Sequence, residues 1–173
     1  TGEEIPELTT AKKIEDRRKS ERDKKDRIYR NYIDIVKNEN GTPTSITFKN
    51  ADKFNFAFDL VDALAEKDPT KLAMLHISRD KTERRFTFKD MKKASNQVAN
   101  YFKSMGIKKG DRVMLVLKRH YQFWFCMLAL NKLGAIAIPA PNQLLVHDFE
   151  YRFNAAGVSA IVCTADGDTA TQV

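Results

Sequence analysis

The sequence predicts an α/β fold, part of a doubly wound, mainly parallel sheet with a charged helix at its N-terminus. Three observations carry this. Residues 112–117 form a short run rich in valine and leucine with no polar alternation, as in a strand covered on both faces. Residues 120–133 are apolar on nearly every face and too many for a strand, and Gly134 stands where a helix C-terminal glycine belongs. Residues 135–138 return to a β-branched apolar pattern closed by Pro139 and Pro141, which cannot donate a ladder hydrogen bond. Two strands bridged by a helix make a parallel crossover, with residues 112–117 as a central strand.

The other elements follow in chain order. Residues 9–36 alternate in charge, and Glu15/Lys19, Glu21/Lys25 and Asp23/Arg27 are helix-supporting pairs four apart. Ile28, Tyr29, Tyr32, Ile33 and Val36 recur at helical spacing, so one long helix is expected, without the sustained heptad of a coiled coil. Asn38-Glu39-Asn40-Gly41-Thr42-Pro43 is a turn cluster. It divides a helical extension, residues 1–40, from the main domain segment, residues 41–173, which opens with an edge strand at 45–48. Phe54, Phe56, Phe58, Val61, Leu64 and Ala65 predict an amphipathic helix with the phenylalanines as core anchors, stopped by Asp68-Pro69. Residues 72–77 and 84–87 read as a strand pair around a polar loop. Thr87 with Asp90 caps a helix over 88–105 that buries Met91, Ala94, Ser95, Val98, Ala99 and Phe102. A helix over 147–156 stopped by Gly157, then an apolar strand over 158–163, extends the unit to βαβαβ.

Composition narrows the function class. The chain has 173 residues, 42% hydrophobic and 31% charged, the balance of an ordinary globular domain. No run approaches the ~20 apolar residues that span a bilayer, so no transmembrane segment is expected. Residues 1–4 lack the basic and apolar regions of a secretory signal, and the expected location is the cytoplasm. The net charge of +7 is scattered rather than clustered, which reads as solvated surface and not as a nucleic-acid footprint. Cys126 and Cys163 lack metal or redox spacing and are expected to be core thiols.

Several chemistries are excluded by what the motifs lack. Dinucleotide binding needs glycines directly after the strand, where Lys118, Arg119 and His120 stand instead. No phosphate loop of the G-x-x-x-x-G-K-[ST] type, no G-x-S-x-G elbow, no H-E-x-x-H helix and no EF-hand loop occurs. His120, at the carboxyl end of the strand, reads as a capping or surface histidine. Asp166 and Asp168 read as turn residues rather than a carboxylate pair. No residue of the chain is assigned as catalytic or metal-binding.

A family resemblance gathers these segments. Gly110-Asp111-Arg112-Val113, the helix with Phe123-Trp124-Phe125, Lys132-Leu133-Gly134-Ala135 and Ile138-Pro139 resemble the adenylate-forming (AMP-binding) enzymes. Phe86-Thr87-Phe88-Lys89-Asp90-Met91 resembles that family's first core motif, and residues 130–140 its second. Phe54-Asn55-Phe56-Ala57, Gln143 and Asp148-x-x-Tyr151-Arg152 are most similar to medium-chain acyl-CoA synthetases. The fold implied is the N-terminal part of the synthetase large domain, an incomplete sheet.

The resemblance implies a two-step ligase using a small carboxylic acid, ATP with Mg2+, and CoA, through an acyl-adenylate. Gln143, in Pro139-Ala140-Pro141-Asn142-Gln143, matches a glutamine that contacts CoA, in a loop where the family has Pro-Gly-Thr-x-Gln. The family's Ser/Thr/Gly-rich phosphate loop, aromatic-Thr-Glu motif, ribose-binding Asp and late catalytic Lys have no counterpart in these 173 residues. The chain alone is therefore expected to be inactive and to hold no cofactor tightly. Self-association through an exposed sheet surface is a further expectation. The competing reading is a non-catalytic interaction module working through the charged N-terminal helix.

Overall fold

The structure, a computed structural model, describes residues 28–165 and 167–173. Two compact units divide the chain, Thr1–Asn50 and Ala51–Val173. In the first, a 3-10 turn at Ile28–Asn31 precedes two antiparallel strands, β1 (Ile33–Lys37) and β2 (Pro43–Phe48). Most of the helix expected over 9–36 lies outside the described residues, and its end is corrected, because residues 33–36 are strand. Ile33 opposes Phe48 and Ile35 opposes Ile46. These cross-strand apolar pairs, among β-branched residues, outweigh the helical spacing. The turn between the strands is closed by Asn38, whose Oδ1 accepts from the amides of Asn40 at 3.1 Å and Thr42 at 2.9 Å. Gly41 supplies the left-handed step at φ 78°. Residue 40 lies in the turn of this hairpin, and the compact units part at Asn50.

In the second unit, Phe56–Asp62 is wound as a π-helix that runs into α1 (Ala63–Lys67). Ala57 and Val61 of the π-helix and Ala65 of α1 are buried. Phe54, Phe56 and Phe58 are 37%, 50% and 48% exposed, which corrects their expected role as core anchors. Asn55 organises the segment. Its Oδ1 accepts from the amides of Ala57 (3.0 Å) and Phe58 (3.3 Å), while its Nδ2 donates to the carbonyl of Asn131 at 2.6 Å.

Strands β3 (Leu72–Ile77) and β4 (Glu83–Thr87) pair antiparallel as expected. Thr87 caps α2 (Phe88–Ser104) through a reciprocal box. Its Oγ1 accepts from the Asp90 amide at 3.2 Å, and its own amide donates to Asp90 Oδ2 at 2.9 Å. The Thr87 hydroxyl, donating to Asp90 Oδ2 at 2.7 Å, and the Thr87 amide together hold the Asp90 carboxyl below the usual aspartate range. The folded state therefore gains stability from the ionised form above the unfolded aspartate pKa of about 4, and loses it as pH falls through the lower folded value. Thr87→Ala is expected to cost about 1 kcal/mol at neutral pH. In urea titrations, the difference between wild type and Asp90→Asn should shrink as pH falls below that window.

The core is a three-stranded parallel sheet in the order β6-β5-β7, with β5 (Arg112–Val116), β6 (Ile136–Pro139) and β7 (Ala160–Cys163). The run expected at 112–117 is the central strand. Val113, Leu115 and Leu117 pack with Cys126, Ala129 and Leu130 of α3 (Gln122–Leu133) and with Ala99 and Phe102 of α2. Met114 and Val116 point the other way, toward Leu144 and Phe149 of α4 (Val146–Ala156) and the loop before it. Two apolar faces on one strand explain its lack of polar alternation. Cys126 is buried and its thiol is pushed up to about 11 by desolvation, while Cys163 is half-buried. A short α5 (Thr169–Gln172) follows. Among the described residues, no helix is long and apolar enough to cross a membrane.

Candidate functional site

Because α3 lies on one face of the sheet and α4 on the other, the chain leaves the carboxyl ends of β5 and β6 in opposite directions. Open α/β sheets place ligand crevices at such a switch point. Three segments line a cleft of about 810 Å3 there: residues 76–79 at the end of β3, residues 118–120 after β5, and residues 140–142 after β6. A smaller cleft of about 370 Å3 adjoins it and shares His76, Lys118, Arg119 and His120, adding Tyr121, Phe123 and Trp124.

Each segment is fixed by identifiable bonds. Lys118 adopts φ 48°, an uncommon conformation for a residue with a side chain. Directly after it, the His120 amide donates to the Leu117 carbonyl at 3.0 Å, turning the chain into α3. In the loop after β6, the Ala140 amide donates to the Leu115 carbonyl at 3.0 Å. Leu144 is buried, and the Leu145 amide donates to Asp148 Oδ2 at 3.1 Å, which ties the loop to the first turn of α4. The β3 side is held by His76, whose Nε2 donates to the Arg119 carbonyl at 3.3 Å. The His76 ring also meets Tyr121 edge-on, with centroids 5.3 Å apart, and the Arg84 guanidinium sits 5.7 Å from the Tyr121 ring centre.

On the larger cleft the described charges are of one sign. Arg79, Lys118 and Arg119 line it along with His76 and His120, and no Asp or Glu is among its described lining residues. Two buried side-chain atoms of the described residues lack a hydrogen-bond partner, His76 Nδ1 and Thr164 Oγ1. Thr164 follows β7, with its amide directed at the Val116 carbonyl (3.3 Å). Ser78 is the lining hydroxyl, and its Oγ already accepts from Arg84 Nη1 at 2.8 Å. With three cationic side chains and no Asp or Glu among its described lining residues, the cleft is suited to an anion.

The structure separates the residues singled out from the sequence. Gln143 is exposed, one residue beyond the part of its loop that lines the cleft. His120 lines both clefts, whereas His147 is exposed beside Asp148, with Nε2 3.6 Å from its Oδ1. Asp166 lies outside the described residues, and Asp168 precedes α5 without a side-chain cap. Among the described residues, no three His, Cys, Asp or Glu side chains converge as a metal site. His76 and Arg79 carried no sequence signal of their own. The rule that ligands sit at strand carboxyl ends pointed to residues 118–120, but the arrival of the β3 end beside them depends on a contact 43 residues apart.

Comparison with known proteins gives consistent relatives. The family model described as AMP-binding enzyme matches residues 61–173. Acyl-coenzyme A synthetase ACSM5, mitochondrial, of Rattus norvegicus is 35% identical over 115 residues, covering 63% of this chain and 20% of the relative. Crotonobetaine/carnitine–CoA ligase of Salmonella paratyphi A is 36% identical over 104 residues, covering 60% of this chain and 20% of the relative. A Mycobacterium tuberculosis fatty acyl CoA synthetase superposes with a TM-score of 0.58 at 25% identity, over 64% of this chain and 21% of that one. The N-terminal domain of FACL13 from the same organism gives 0.59 at 26%, over 65% and 28%. The chain thus spans about a fifth of the length of the curated relatives it matches.

Proposed function

The chain belongs to the AMP-binding enzyme family, and from that premise we propose that it forms the N-terminal segment of an ATP-dependent acyl-CoA ligase. In the reaction proposed, a carboxylate oxygen attacks the α-phosphorus of ATP, forming an acyl-adenylate as pyrophosphate leaves. The CoA thiol, losing its proton, then attacks the acyl carbon, and AMP departs from the thioester. The family match over residues 61–173 carries this reading. Bound magnesium would offset charge on the departing pyrophosphate. The described residues offer no cluster to hold it, so no step is assigned to them through the metal.

The part given to these residues is structural support and one contact with CoA. Gln143 is exposed in a loop anchored at both ends, by Ala140 to β5 and by Leu145 to α4, which suits a side chain that meets a ligand from a fixed backbone. The phosphate-binding loop and the late lysine of the family are absent from these 173 residues. Pyrophosphate exchange with ATP and a panel of fatty acids should therefore give no signal on this chain alone, and turnover would overturn that part of the reading. In a chain extended through those motifs, Gln143→Ala should raise the KM for CoA about three- to tenfold, the loss of one hydrogen bond, with adenylate formation unchanged. An unchanged KM would remove Gln143 from the site.

A further inference from the structure

We propose that the cleft at the carboxyl edge is a binding site for a phosphate group carried by a small molecule, with Arg79 and Arg119 as its recognition cations. The charge of the lining is the first argument. Arg79 and Arg119 both line the cleft, and no acidic residue is among its described lining residues. Among the described residues, neither arginine takes part in a salt bridge. Asp80, next to Arg79 in sequence, is turned to the amide of Thr82 at 3.0 Å. Lys118 and His120 have interactions of their own and are not needed for the proposal.

Geometry supplies the second argument. The two arginines come from different elements that the structure pins together, since the carbonyl of Arg119 accepts from His76 Nε2 at 3.3 Å. That bond makes Nε2 a protonated ring nitrogen and leaves the buried Nδ1 without a partner. A guanidinium presents paired donors that match phosphate oxygens. Glycine-type backbone recognition is unavailable, because the turn is Lys118-Arg119-His120, and side-chain charge must replace it. The adjoining cleft, with Trp124 53% exposed, offers apolar surface to the rest of an organophosphate.

The test is titration calorimetry on the 173-residue chain at low ionic strength with inorganic pyrophosphate, CoA and dephospho-CoA as separate probes. Arg79→Ser/Arg119→Ser is compared with Lys93→Ser/Lys103→Ser, which removes two exposed charges elsewhere on the surface. Circular dichroism confirms that both variants are folded. Saturable binding of pyrophosphate, weakened by about tenfold or more in the arginine variant and not in the lysine variant, supports the proposal with a free phosphate as ligand. Binding of CoA but not of pyrophosphate, with the same arginine dependence, supports it with the phosphate supplied by the larger molecule. Weaker binding of dephospho-CoA then places the contact at the 3′-phosphate, and equal binding at the diphosphate. No saturable binding of any probe, or equal affinities in the two variants, overturns it. Because the pyrophosphate arm requires no CoA contact, the Gln143 assignment can fail without affecting it.

Discussion

Lys132→Met is expected to lower the stability of the Ala51–Val173 unit by about 3–5 kcal/mol, read as a shift of the urea midpoint. The Lys132 side chain is 3% exposed, and its Nζ donates to both carboxylate oxygens of Asp62 at 2.9 Å and to Asn96 Oδ1 at 2.7 Å. Three ammonium protons thus have three acceptors, drawn from the π-helix and α2, and the charge sits 5.4 Å from the centre of the Phe58 ring. Methionine keeps the apolar stem but removes the ion-paired partner of Asp62, whose side chain is 12% exposed, leaving the more distant charge of Lys92. The double variant Lys132→Met/Asp62→Leu should recover most of the loss, because both desolvation costs go together. A single variant as stable as wild type would show that the pair is solvated in practice. Lys132 stands in the Lys132-Leu133-Gly134-Ala135 segment that marks the family resemblance, and this geometry gives the position a structural task within the chain.

How far the fold was legible follows from the range of the forces that shape each part. The unit of β5, α3 and β6 and the Thr87-Asp90 cap rest on local pattern, and the structure places them within two residues of expectation. The π-helix was not legible, because its start depends on Asn55 reaching Asn131, 76 residues away. Strand β1 was misread for a related reason. Ile33 and Val36 fit a helical stripe as well as a strand, and only the partner strand with Phe48 and Ile46 decides between them. Gln143 could be singled out from the sequence because it sits inside a short motif. The cationic lining could not, since Arg79 and Arg119 are 40 positions apart and line one cleft only because the end of β3 packs beside the turn after β5.

Phe149→Ala should cost a further large amount, about 3–5 kcal/mol, and unlike the Lys132 change it should loosen the loop that carries Gln143. Phe149 is 1% exposed and fills the second face of the sheet between Met114, Val116 and Leu144, with Phe153 at a ring-centroid distance of 5.8 Å. It is the largest fully buried side chain of the described residues and the one buried residue of α4. The loop after β6 is fastened to α4 by Leu144 and by the Leu145–Asp148 bond, so undocking the helix frees the loop as well. Leu130→Ala provides the control. Leu130 is fully buried on the opposite face with α3, and its loss should cost about 2–5 kcal/mol while leaving α4 seated. Native-state hydrogen exchange separates the two cases. In Phe149→Ala, amides of residues 140–157 should exchange through an opening below the global unfolding free energy, whereas in Leu130→Ala they should follow global unfolding. If residues 140–157 stay protected up to the global limit in Phe149→Ala, α4 is held by something other than this ring, and the loop's rigidity must be sought in its bond to β5 at Ala140.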